Sequence, residues 1–119
     1  MARWGIGYVG SARSAAEVAT DFEQARAAWA EAGREGSPYL VAVVYFGLGD
    51  PEQSRANVWD YTSIFGAEVA RFITDSMVAG PGAVRDTVAA FAGIGADELM
   101  FSPGEGDLDE VTRLADTVL

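Results

Sequence analysis

Three short clusters in this chain hold residues with chemistry to offer: Gly10-Ser11-Ala12-Arg13, Gly47-Leu48-Gly49-Asp50 and Ser102-Pro103-Gly104-Glu105. Ser11 and Arg13 offer a hydroxyl and a guanidinium to an anionic group of a cofactor. Gly47 and Gly49 would let a backbone approach a flat ring system. Plainer accounts take precedence at each. Ser11 and Arg13 also suit an ordinary strand-to-helix loop, and glycine is the usual residue where a turn needs free backbone angles. Asp50 reads as a helix cap, and Glu105 as a solvated loop residue. Asp97 and Glu98 resemble a catalytic carboxylate pair. Neighbours in a strand point to opposite faces, however, so the two cannot share a substrate.

Other chemistry is excluded by composition. The chain has no cysteine and no histidine, and all 8 of its basic residues are arginine. Thiolate chemistry, the commonest general base, and lysine-based phosphate or Schiff-base sites are therefore absent. No catalytic residue and no metal ligand set is nominated. The formal net charge is −10, which repels phosphate backbones and anionic lipid, so neither nucleic acid nor a membrane is an expected partner. No apolar run is long enough to span a bilayer, and the N-terminus lacks a signal-peptide layout. The expected location is cytoplasmic.

The clusters sit where a regular alternation of elements would place them. Trp4 to Val9 reads as a strand. Ser14 with Glu17 forms a capping box at a helix start. Val18, Phe22, Ala25, Trp29 and Ala32 give that helix one apolar face. Tyr39 to Phe46 is continuously apolar, the mark of a strand covered on both faces. Asp50 and Pro51 start a helix that runs to about Phe65, and a second runs from Ala67 to Val78. Val84, Val88 and Phe91 mark a third, ending at Gly93. Ala96 to Ser102 reads as another strand. Asp107 and Glu110 then cap a final helix whose apolar face is Leu108, Val111, Leu114 and Val118, its acidic residues forming a solvated face. Trp4, Trp29 and Trp59 read as core or interface residues. Strands alternating with helices imply right-handed units and a parallel sheet. The 119 residues fit a single α/β domain of about three parallel strands.

Several stretches, taken in order, resemble the luciferase-like monooxygenase family of flavin- and deazaflavin-dependent oxidoreductases. Arg3 to Tyr8 is similar to the family's R-x-G-D-G-W strand, with Ile6 where aspartate is common. "ARAAWAEAGREGSP" (25–38) is similar to its helix followed by A-G-R-x-x-x-P. "FGLGDP" (46–51), "VRDTVAAFAGIGADELMFSP" (84–103) and "DLDEVTRLAD" (107–116) are similar to its closing strands and helices. The resemblance implies a partial (β/α)8 TIM barrel, the C-terminal part only, too short for the whole enzyme. It implies FMN or a deazaflavin coenzyme as cofactor, met at the strand exits by Ser11, Arg13, Gly47 and Gly49. Much of the active site would lie on strands not in this chain, so little independent catalysis, and no cofactor bound by the chain alone, is one expectation. The open sheet edges imply a homodimer or larger oligomer, or a complementing barrel subunit. A non-enzymatic, homo-oligomeric scaffolding module derived from the fold is the alternative.

Overall fold

The computed structural model describes residues 2–11 and 13–119. Met1 and Ala12, the latter part of the first exit cluster, lie outside the described residues. The elements in order are β1 (Gly7–Ser11), α1 (Ala15–Glu31), β2 (Tyr39–Gly47), α2 (Pro51–Thr62), a 3-10 turn (Ser63–Phe65), α3 (Ala67–Asp75), β3 (Val78–Ala79), α4 (Pro81–Gly93), β4 (Glu98–Pro103) and α5 (Leu108–Val118).

All strand pairings are parallel and all run through β2. Val41 to Val43 pair with both β1 and β4, and Phe46 pairs with both β3 and β4. A residue has only two edges, so β1 and β3 lie end to end on one side of β2 and β4 occupies the other. The expected three strands thus become four. β3 is only two residues long, too short to leave a periodic signal, and the helix expected through Val78 stops at Asp75. Its place is set by the Phe46↔Val78 register and by the Gly80 N–H donating to the Gly47 carbonyl at 3.1 Å.

One face of the sheet is well covered. Val18, Phe22 and Ala25 of α1 and Phe91 of α4 pack on Leu40, Ala42 and Val44, with Leu99 and Phe101 of β4 against the same cluster. The capping box at Ser14 and Glu17 is present, and Val18, Phe22, Ala25 and Trp29 are buried as their spacing predicts. Trp29 donates from its indole to the Glu35 carbonyl at 3.2 Å, and the Arg34 guanidinium lies 3.7 Å from its ring centre. Ala32 is exposed, just past the helix end.

The other face departs from expectation. Strand alternation and register put Val9, Ser11, Val41, Val43, Tyr45, Met100 and Ser102 together there. Val9 is 58 % and Met100 49 % exposed. At its C-terminal end α2 crosses this face. The continuous apolar run of β2 was expected to be covered on both sides; on this second side Val41 is buried and Val43 and Tyr45 are half-buried, while Val9 and Met100 on the flanking strands are exposed. Along the apolar stripe of α5, Leu108 is 84 % exposed and Val111 and Val118 are also exposed, while Leu114 is half-buried. Trp4 is exposed, and Trp59 half-buried.

The global dimensions agree. The radius of gyration is 15.5 Å, against about 13.5 Å for a compact domain of this length. The accessible surface is 7035 Å², against about 6,200 Å² for a folded monomer of this mass. No helix of the described residues is long and apolar enough to cross a membrane.

Candidate functional site

The exits of β2 and β4 are held together by α2. Asp50 caps this helix, accepting from the Gln53 N–H at 3.1 Å, and Pro51 sits in its first turn. The first turn then drives Ser54 between two glycines. A Cβ built on Gly47 would lie 2.8 Å from both the Cβ and the Oγ of Ser54. One built on Gly104 would lie 2.7 Å from its Cβ and 3.0 Å from its Cα and carbonyl oxygen. The helix therefore rests on bare backbone at both strand ends, a contact no larger residue would allow. Ser54 is fully buried, and its hydroxyl has no hydrogen-bond partner among the described residues. Removing an orphaned hydroxyl costs little or nothing. Ser54→Ala should leave unfolding stability unchanged or raise it by up to about 1 kcal/mol, as read from a urea transition. A loss above that size would show that the hydroxyl has a partner.

The turn between β2 and α2 is fixed from a distant element. Glu110 of α5 is fully buried. Its carboxylate accepts from the Leu48 N–H at 2.9 Å and the Gly49 N–H at 2.6 Å, and pairs with Arg113 at 2.9 Å. This corrects two expectations. Glu110 does not complete a capping box, since Asp107 accepts from the Asp109 N–H at 2.9 Å instead, and Glu110 is not part of a solvated face.

Beneath α2, on the open face of the sheet, lies a cleft of about 430 Å³. Tyr45 of β2 and Ser102 and Pro103 of β4 form its floor, Asn57, Val58 and Tyr61 of α2 its roof, and Gly104 and Gly106 its rim. Tyr45 and Ser102 are register partners, so they stand side by side. Asn57 is already engaged: its amide donates to the Gly104 carbonyl at 3.0 Å, and its oxygen accepts from Gln53 at 2.8 Å. Burial, with the neighbouring Tyr61 phenol, pushes the Tyr45 hydroxyl above its ordinary range, so it remains a neutral donor and acceptor at physiological pH. Among the described residues no charged side chain lines the cleft.

The four residues expected at the cofactor do not converge on this cleft. Ser11 ends β1 on the open face, beside Val43. Arg13 turns toward α1, with Asp21 at 2.8 Å and Glu17 at 3.8 Å, and borders a separate groove with Asp86 and Phe91. Gly47 meets Ser54 and Met77, and a Cβ on Gly49 would meet Arg113 and Glu110. Their small size serves close packing within the chain. Tyr45, Asn57 and Tyr61 were not singled out from sequence, because only the β2–β4 register and the path of α2 bring them together. Asp97 and Glu98 bind neighbouring strand atoms: Asp97 accepts from the Leu40 N–H at 2.8 Å, and Glu98 from the Tyr39 hydroxyl at 3.0 Å. No group of three or more acidic side chains among the described residues is arranged to hold a metal ion.

No protein-family model and no curated protein matches this sequence. The structure does match a solved one, an F420-dependent secondary alcohol dehydrogenase in complex with an F420-acetone adduct. The TM-score is 0.66 at 12% sequence identity, over 99% of this chain and 43% of the dehydrogenase. The chain thus spans less than half the length of that enzyme. At this identity the likeness shows the fold alone: the chain has a parallel α/β architecture like that of part of the dehydrogenase.

Proposed function

We propose that this chain is the C-terminal part of a luciferase-like barrel oxidoreductase dependent on a flavin or deazaflavin, acting in the cytoplasm. In this reading it supplies one wall of the cofactor end and has little catalysis of its own. The observation that carries it is the cleft at the C-terminal ends of β2 and β4, on the face of the sheet opposite α1 and α4. Ligands of parallel α/β folds collect at that end. The cleft is within the usual range for ligand sites, about 300–1,000 Å³. Its uncharged aromatic walls suit a flat cofactor ring, and a bound flavin or deazaflavin would supply the hydride chemistry that the side chains lack. Titrating the purified chain with FMN and with a deazaflavin, followed by absorbance, tests this. Saturable binding supports the cofactor reading. No binding, with defined oligomers, supports the scaffolding alternative.

The same reading includes self-association. The surface exceeds that of a compact monomer by roughly 850 Å², close to the ~800 Å² per partner of a standard interface. Val9, Met100 and Leu108 are among the exposed apolar residues that such a contact would cover. Light scattering at micromolar concentration should give a homodimer or larger species. A stable monomer would overturn self-association and leave a complementing barrel subunit as the source of the missing strands.

A further inference from the structure

The chain carries two exposed apolar surfaces of different shape. One is a projection. α2 and α3 pack on each other as a hairpin, and the turn that joins them carries Ile64 and Phe65, with Tyr61 just before it; all three are more than half exposed. No charged residue falls between Asp60 and Glu68. The other is flat. On the N-terminal half of the open sheet face, Tyr39, Val9 and Met100 are exposed. Glu98 lies on this half too, beside Val41, and its carboxylate accepts from the Tyr39 hydroxyl at 3.0 Å. Copies of a chain with net charge −10 meet with least repulsion through such uncharged surfaces.

Two open faces cannot close flush on each other, because α2 stands over the C-terminal half of each. A two-fold axis that inverts one copy against the other removes the obstacle. Each hairpin then lies over the bare N-terminal half of its partner, and the contacts come in reciprocal pairs. Parallel sheets are normally covered on both faces, and this arrangement supplies the second cover. The surplus surface of roughly 850 Å² per chain matches the ~800 Å² per partner of a standard interface. Resting on the self-association proposed above, we infer that two copies clasp each other across a two-fold axis, the Ile64–Phe65 turn of each docking on the Val9 and Met100 face of the other.

The chain has no cysteine, so introduced thiols report this contact directly. Phe65→Cys, Met100→Cys and the double variant are treated with a short bismaleimide and run on a denaturing gel, with light scattering of the parent and a melting curve for each variant. Both replaced side chains are exposed, so the fold should hold. The double variant should give a covalent dimer and each single variant only monomer. Phe65→Asp should weaken dimerisation by about thirtyfold or more in sedimentation equilibrium, the effect of losing an aromatic anchor. A covalent dimer from either single variant would mean that like surfaces meet, and a ladder of longer species would mean an open head-to-tail chain. Either result overturns the clasp and leaves self-association standing. So does a dimeric parent whose double variant stays uncross-linked, or whose dissociation constant Phe65→Asp leaves unchanged. A monomeric parent overturns both.

Discussion

Glu110→Ala should destabilise the chain by about 3 kcal/mol, because it strips acceptors from two backbone N–H groups at once. The carboxylate lies fully buried and is bonded to Leu48 and Gly49. Each buried donor left unsatisfied costs about 1–3 kcal/mol. Arg113 is partly exposed, so its ion pair with Glu110 adds little in comparison. The damage should be local first. Amide hydrogen exchange at Leu48 and Gly49 should accelerate well before exchange in α1 does. Glu110→Gln keeps one acceptor oxygen and should lose about half as much. A urea transition within about 0.5 kcal/mol of the parent would mean that water or another group satisfies this turn.

Gly7→Ala is expected to be the second costly change, for a steric reason. A Cβ on Gly7 would overlap the carbonyl oxygen of Tyr39 and sit 2.7 Å from its carbon. These are backbone atoms of the paired strand, so no rotamer change relieves the overlap. β1 must move away from β2, and the register from Gly7↔Tyr39 to Ser11↔Val43 loosens from its first pair. A destabilisation of about 2–4 kcal/mol is expected, at the upper end for overpacking. Gly33→Ala is the control. Gly33 has φ 70° and nothing near its would-be Cβ, so it should lose only about 1–2 kcal/mol, the cost of a left-handed backbone. Calorimetric melting of both variants checks the ranking, and equal losses would show that β1 adjusts freely.

The contrast between two x-x-Glu helix starts, Ser14–Glu17 and Asp107–Glu110, shows what the sequence discloses and what it withholds. Ser14-x-x-Glu17 reads as a box and is one, because its partners lie within a single turn. Asp107-x-x-Glu110 has the same spacing, yet Glu110 turns inward to two N–H groups some sixty residues earlier in the chain. Local pattern specifies the first and tertiary packing overrides it in the second. The helix faces follow the same division. Val18, Phe22, Ala25 and Trp29 are buried because β1 and β2 are present to receive them. Leu108 and Val111 have the same periodicity but no receiving surface among the described residues. The parallel β/α order was legible throughout, whereas the cleft was not. It depends on Tyr45 falling opposite Ser102, and nothing in either strand alone fixes that offset.

The seating of Ser54 between Gly47 and Gly104 bears on how a small molecule would come and go. Swinging lids need slack at their root, and here a Cβ added to either glycine would lie within 3 Å of Ser54, so the root of this roof is closely packed. Traffic must therefore pass sideways, across the uncovered flank of the sheet. If a second copy closes that flank, as proposed above, it would govern admission across a roof fixed at its root.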